Sequence, residues 1–412
     1  MKTIQSRRHP SRVVVSAVFF AAVSGVGCVN FDIEEQFKDT RILAARTTPA
    51  EILFSPLFLL PPNQRPPFPL PAVDVELELF AFDRRGGDVT VTTQLCPEGS
   101  GDSSCRLYDK DFDKDFARLV EPAKSEVAAL LEPVTANGTI DDDGRTVGRI
   151  QPSTFNYTIT PGAIDFFQPK NAAGENVPSI FPLLPRFAFE VENLTQKEAG
   201  EDVFKERAFK RLPVAIDLGD PNLPASFRST LASGLGITLC DGPIPSRDEV
   251  ADEDFEGLAD CLSPRGPNVN PAVIGFRIES TTDADLLTQG TLEGEPDLKN
   301  GSLLRVSPGA SISVTPMWAP GAVERYQVIS FDIETSSITV LNRVEDMACN
   351  WYASRGLPSA ALTSLEFTDE RLGVVWNFPA DAKSGERDSL VLVVQDQRGG
   401  TTVFDINVEY EP

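Results

Sequence analysis

Histidine is almost missing from the 412-residue chain: the only one, His9, lies ahead of residue 28, where the mature protein is expected to begin. A chain without histidine cannot build Ser-His-Asp or Cys-His catalytic arrangements, and histidine-bearing zinc, copper and iron sites are excluded with them. Catalysis by carboxylate pairs, lysine or tyrosine remains, but it leaves no signature, and no catalytic residue is assigned. Long apolar runs are also lacking. The longest, Val13 to Val23 with Ser16 interrupting it, is about half the ~20 residues that a membrane-spanning helix needs. Positive charge is scarce too, with 37 basic residues against 61 acidic ones. Residues 1–27 carry four basic and no acidic residues, so their removal takes the formal charge from −24 to about −28. A polyanion of this size repels nucleic acid, which is therefore not an expected partner.

What the leading segment does contain is informative. Lys2, Arg7, Arg8 and Arg12 precede the apolar run, and small residues follow it at Ser24-Gly25-Val26-Gly27-Cys28, the layout of a secretory signal over residues 1–27. Small residues ending in Gly27 before Cys28 resemble the lipobox of bacterial lipoproteins. That resemblance implies acylation of Cys28, a lipid-proximal tether over 28–40 and attachment to a membrane through the acyl chains, which together hold firmly where one chain would not. Val29 rather than Asp after the cysteine implies sorting to the outer membrane or cell surface. Gly25 stands where an aliphatic residue is usual, so ordinary cleavage near Gly25 and a freely secreted protein is the alternative.

Five further cysteines remain. Cys96 and Cys105 bracket one polar loop, Cys240 and Cys261 another, and in an oxidising compartment each pair reads as a local disulfide, with Cys349 buried and unpaired. Metal binding is not assigned, because neither pair has CxxC spacing and no second close pair completes four ligands. No cofactor is expected.

Thirty-three prolines and twenty-nine glycines punctuate the chain into short pieces. Val73, Val75, Leu77 and Leu79 alternate with Asp74, Glu76 and Glu78, the period of a half-buried strand, and Asp83 to Gly87 is expected to turn it into a hairpin with Val89 to Leu95. Thr40 to Leu53 reads as a first strand and Pro56 to Pro71 as an extended, proline-rich loop. Apolar residues from Phe112 to Leu131 recur at helical spacing and predict a helical insertion divided at Pro122. Strands near Thr154 to Thr160, Arg186 to Glu192 and Ala208 to Ile216 complete an N-terminal β-sandwich over 41–216. Residues 217–269 read as an acidic, Pro/Gly-rich linker. A second sandwich over 270–412 is built from strands near Val273, Ser311, Tyr326, Met347, Gly373, Ser389 and Thr401. The expected class is all-β, with two immunoglobulin-like sandwiches, the first carrying a short helical insertion.

Leu390 to Phe404, an aliphatic strand ending in Asp396-Gln-Arg-Gly399-Gly400 before a returning strand, resembles the final hairpin of PKD-type and cadherin-like immunoglobulin-like modules. With Asn350 to Gly356 and Trp376 to Pro379, it resembles the C-terminal module of uncharacterised bacterial surface lipoproteins. The glycines suit the positive φ of a tight turn, and Asp396 suits bonding to the backbone amides across it.

Three chemistries compete for the remaining motifs. Asp109, Asp111, Asp113 and Asp115 are spaced by two, but Lys114 occupies the glycine position of a calcium loop, and a solvated turn is the preferred reading. Asp141-Asp142-Asp143-Gly144 reads as a surface turn and Asp252-Glu253-Asp254 as part of a solvent-facing linker. Trp318, Trp351 and Trp376 would suit a carbohydrate platform, although a tryptophan on an interior strand is more often core. The expectation is a non-enzymatic surface protein with a structural or binding role toward an envelope or extracellular protein or glycan. A carbohydrate-binding or carbohydrate-cleaving protein and a calcium-dependent adhesin are the alternatives.

Overall fold

The computed structural model describes residues 41–60, 65, 71–82, 87–96, 125–140, 150–151, 154–169, 177, 182–195, 205–220, 223–246, 249–255, 257–258, 261–280, 287–289, 297–332, 337–360, 362–365 and 373–411. The signal segment, Cys28 and the tether lie outside them, as do Asp109 to Asp115 and Asp141 to Gly144.

The first half contains β1 (Arg41–Thr48), β2 (Ile52–Phe54), β3 (Val73–Phe82), β4 (Gly87–Cys96), α1 (Ser125–Leu131), β5 (Val134–Ile140), β6 (Ile150–Gln151) and β7 (Thr154–Ile159). It continues through α2 (Pro161–Phe167), β8 (Arg186–Asn193), β9 (Lys205–Arg211) and β10 (Val214–Ile216). Sheet β1-β3-β7 faces sheet β6-β5-β4-β8-β9. Val75, Leu77 and Leu79 of β3 and Phe155, Tyr157 and Ile159 of β7 enter one core with Val89, Val91, Phe187 and Phe189 from the opposite sheet. The rings of Tyr157 and Phe187 meet across that core at 4.8 Å. Alternation along β3 and β7 thus does what a period of two predicts, delivering every second side chain to one interior.

The expected β3–β4 hairpin does not form. Both edges of β3 are occupied, Leu77 lying opposite Thr47 of β1 on one side and opposite Phe155 of β7 on the other, so β4 pairs instead with β5 and β8. Strands β3 and β4 therefore lie in different sheets, and Gly87, at the start of β4, takes a φ of 115°. The predicted first strand is split into β1 and β2, and β2 runs parallel to β10. Pro56 opens a short 3-10 turn, Pro56–Leu59, capped by Ser55, where an extended loop was expected. Helix α2 was not expected, although its signal is local: Thr160 Oγ1 accepts from the Ala163 N–H at 3.3 Å and Pro161 occupies the first turn.

The connecting region contains α3 (Ala225–Leu235), β11 (Thr238–Leu239), α4 (Asp252–Phe255) and β12 (Cys261–Leu262). After it come β13 (Val273–Ser280), β14 (Leu287–Gln289), β15 (Asp297–Leu298), β16 (Ser302–Val306), β17 (Ser311–Trp318), β18 (Arg325–Asp332) and β19 (Ser337–Val344). The last strands are β20 (Met347–Ala353), β21 (Leu357–Pro358), β22 (Leu362–Leu365), β23 (Val374–Asn377), β24 (Arg387–Asp396) and β25 (Thr401–Tyr410). Sheets β15-β13-β17-β23-β21 and β14-β16-β25-β24-β20-β22 enclose the second core. Phe276 stands within it 5.9 Å from Trp351 and 4.6 Å from Phe404. The chain is all-β, built as immunoglobulin-like sandwiches.

The connection is packed rather than free. Hairpin β18-β19 leaves the second sandwich as a separate ribbon, and Val340, Ile329 and Ile338 on it pack against the first core. Polar side chains of the same ribbon hold the connection. Arg325 donates to the carbonyls of Pro245, Ser246 and Val250 and pairs with Asp252, with its guanidinium over the Phe255 ring. Asp252, read from sequence as solvent-facing, is thus an ion-pair partner, because folding brings Arg325 across to it. Gln327 donates to Cys261 O at the start of β12, and Asn342 donates to Phe255 O at the end of α4.

Candidate functional site: a buried charged joint

Strand β24 is buried on both faces, which is why Leu390-Val-Leu-Val-Val reads as an unbroken apolar run. Leu390, Leu392 and Val394 enter the second sandwich core. Val391 and Val393, with Tyr352 and Val403, face the other way and meet Leu43, Ala44, Phe80 and Phe82 of the first domain. This apolar contact sets the two sandwiches side by side, and a charged cluster forms where β24 turns into β25.

The turn is built around Asp396. Its Oδ1 accepts the N–H groups of Arg398 and Gly400 at 2.8 and 2.7 Å, and its Oδ2 accepts from Asn268 Nδ2 at 3.0 Å. Gly399 adopts a φ of 98°, and Gly400 lies so close to Asp396 that a Cβ there would stand 2.0 Å from Oδ2. Both glycines are therefore required, one for conformation and one for close approach. Turned this way, Arg398 points into the joint.

Arg398 meets three carboxylates from three segments: Glu51 at 2.8 Å, Glu324 at 2.9 Å and Glu345 at 3.3 Å. Its guanidinium lies 5.0 Å from the Tyr326 ring centroid. Glu51 additionally accepts both terminal nitrogens of Arg265 and the N–H of Asn268. On the far side of the turn, Lys210 of β9 donates to Gly399 O and, at 2.7 Å, to Thr401 Oγ1. Asn270 completes the contact by donating to Thr47 O and accepting from Thr401 N–H.

Burial governs the protonation of these groups. It pushes Glu345 up to about 8, with the charge of Asp396 adding to the effect, and it raises Glu324. Burial pulls Lys210 down to about 8 against the opposing pull of Asp396. For Arg398 burial acts to lower the value, yet the surrounding glutamates, Glu51 first, outweigh it and the net shift is upward. A little farther away Glu206 is pushed up to about 7 by burial while accepting the Ile42 N–H at 2.8 Å. Chemically, the arrangement can hold a proton on Glu345, and most of its polar groups bond to one another and to backbone.

Cys240 and Cys261 form a disulfide that closes the connection beside the β18-β19 ribbon. Cys96, buried at the end of β4, is also disulfide-bonded; its expected partner Cys105 lies outside the described residues, as does Cys28. Cys349 is buried and free, and burial pushes its thiol up to about 12. Trp351 and Trp376 are fully enclosed in the second core, while Trp318 is half-buried against it. Sequence reasoning identified the turn around Asp396 but not Glu51, Glu324, Glu345 or Lys210. No local pattern marks them, since Glu51 and Arg398 are 347 positions apart.

No family model matches the chain, and no curated protein matches it. Among solved structures, red sea bream transglutaminase is similar over 92% of this chain and 32% of its own, at 6% identity and a TM-score of 0.20. Dimeric latent PorU from Porphyromonas gingivalis is similar over 90% and 24%, at 10% identity and a TM-score of 0.15. Escherichia coli alpha-2-macroglobulin activated by porcine elastase is similar over 91% and 35%, at 8% identity and a TM-score of 0.20. The chain spans about a third or less of each of those chains, and likenesses of this size carry no functional argument.

Proposed function

We propose that this is a non-enzymatic, lipid-anchored protein of the bacterial outer membrane or cell surface, in which two firmly joined sandwiches present loops and strand edges to an envelope or extracellular partner. The joint is the observation that carries the structural half of this reading. The described ionisable groups most perturbed by burial there, Glu345 and Lys210, bond to Arg398 and to the turn beside it, and so serve the contact between domains. The leading segment supports the anchoring half, with its basic, apolar and small residues ending at Cys28. Trp351 and Trp376 serve the core, which weakens an aromatic platform for sugars. Both carboxylate oxygens of Asp396 accept hydrogen bonds within the joint, which weakens its candidacy as a calcium ligand.

Expression in a bacterial host with palmitate labelling and membrane fractionation tests the anchor. Label and membrane association are expected in the wild type and lost in Cys28→Ala. An unlabelled, soluble wild type would overturn the anchored reading.

A further inference from the structure

Each glutamate around Arg398 comes from a different segment. Glu51 follows β1 of the first domain, Glu324 precedes the β18-β19 ribbon and Glu345 joins that ribbon to β20. Asp396 faces the same space from the end of β24. Against these four carboxyls stand Arg398, Arg265 on the outer side of Glu51, and Lys210 beyond the turn. Tyr326 lies against the Arg398 guanidinium, with Asp346 and Arg343 acting on it from the ribbon's end. The side chains of Glu51, Glu345 and Arg398 are 5%, 1% and 9% exposed, so water screens little of this charge.

The four carboxyls differ in how well they are satisfied. Glu51 accepts bonds from two arginines and an amide, and Asp396 accepts three bonds in all. Glu345 has the longest contact to Arg398, at 3.3 Å, and otherwise accepts the Glu324 N–H at 3.0 Å. Three buried acids and the part-exposed Glu324, facing three bases, leave a surplus negative charge, which is costly where it cannot be solvated. Glu324 accepts only the Arg398 bond, but its side chain is 29% exposed and so partly hydrated; among the three buried carboxyls, Glu345 is the member with least to lose by taking a proton.

We propose that the joint is a proton-operated hinge: a proton held on Glu345 keeps the two sandwiches locked through Arg398, and release of that proton loosens the contact between them. Burial, which pushes Glu345 up to about 8, sets the range in which release occurs. An opened joint hydrates Glu345 and returns it toward the ordinary carboxylate range, so opening is favoured as pH rises between those values. This inference stands apart from the anchoring at Cys28 and is tested separately from it.

The test is hydrogen exchange of the purified full chain, comparing peptides over 263–270 and 396–402 with the interior strand 350–353 as internal reference. Raising pH from about 6 to about 9 is expected to lower the normalised protection of the joint peptides by about tenfold or more in the wild type, and by less than about twofold in Glu345→Gln. Glu324→Gln removes a neighbouring negative charge and is expected to lower the midpoint of the transition, since less repulsion holds the proton on Glu345. Joint protection that is independent of pH in the wild type would overturn the hinge. So would an equal pH response in Glu345→Gln or, should that variant not fold, an unmoved midpoint in Glu324→Gln.

Discussion

The two faces of the β24-β25 hairpin are both buried, but by different means. Toward the second core, Leu390, Leu392, Val394, Phe404, Ile406 and Val408 meet Trp351 and Phe276 in an apolar interior. Toward the first domain, the apolar contact of Val391, Val393 and Val403 gives way at the turn to Arg398 and its carboxylates. Apolar burial is non-directional and indifferent to pH, so the core supplies bulk stability. Buried ion pairs contribute little net stability because desolvation offsets their attraction, but they penalise any arrangement that separates the partners. The difference suggests that the core makes the sandwich and the joint fixes how the two sandwiches sit together.

That contrast can be broken most severely from the apolar side. Trp351→Ala removes a fully buried side chain and is expected to cost about 4 kcal/mol, read as a lower denaturant midpoint for the second domain. Arg398→Met strands Glu51, Glu324 and Glu345 without their shared partner and is expected to cost about 3 kcal/mol. Replacing Arg398, Glu51 and Glu345 together by apolar residues of similar size should recover much of that loss. A triple variant no more stable than the single one would show that the charges do more than specify geometry.

A scan of melting temperature against pH sharpens the comparison further. Glu345, Glu206 and Asp217 are raised by burial to about 8, about 7 and about 6, so the folded state binds more protons than the unfolded state above the ordinary carboxylate range. Stability from these groups is present at low pH and is lost as pH rises through those values. Lys210 acts in the opposite sense: pulled down to about 8, it releases its proton in the folded state first, and stability rises again from about 8 toward its ordinary value. A minimum of several degrees near pH 8 is expected, and a steady rise through that range would contradict the assignment. The smallest effect is expected at the turn. Gly399→Ala forces a side chain into a φ of 98° and against Pro213, at a cost of about 1 to 2 kcal/mol in thermal unfolding.

The places where sequence reading succeeded and failed follow from distance along the chain. Alternation in β3, the aliphatic run of β24 and the Asp396 to Gly400 turn are local patterns, and each forms the element expected of it. The β3–β4 hairpin failed because strand partners depend on which edges other strands already occupy, and β1 and β7 hold both edges of β3. Helix α2 carried a readable start at Thr160-Pro161, and its buried Ala163, Ile164 and Phe167 fit a single apolar stripe. The joint carried half a signal: Asp396 and the glycines were legible because they bond within five residues of one another, whereas Glu51 and Lys210 were not.

From its residues alone, then, this chain determined its class, its alternating strands, the local Cys240–Cys261 disulfide and the shape of its last turn, because each depends on neighbours in sequence. Tertiary structure decided which strands pair, how the connection packs against the β18-β19 ribbon, and that Arg398 would meet Glu51, Glu324 and Glu345. Ionic partners hundreds of residues apart share no periodicity. They are brought together only when apolar faces have closed around them, and the same closure removes the water that would otherwise make their charges unremarkable.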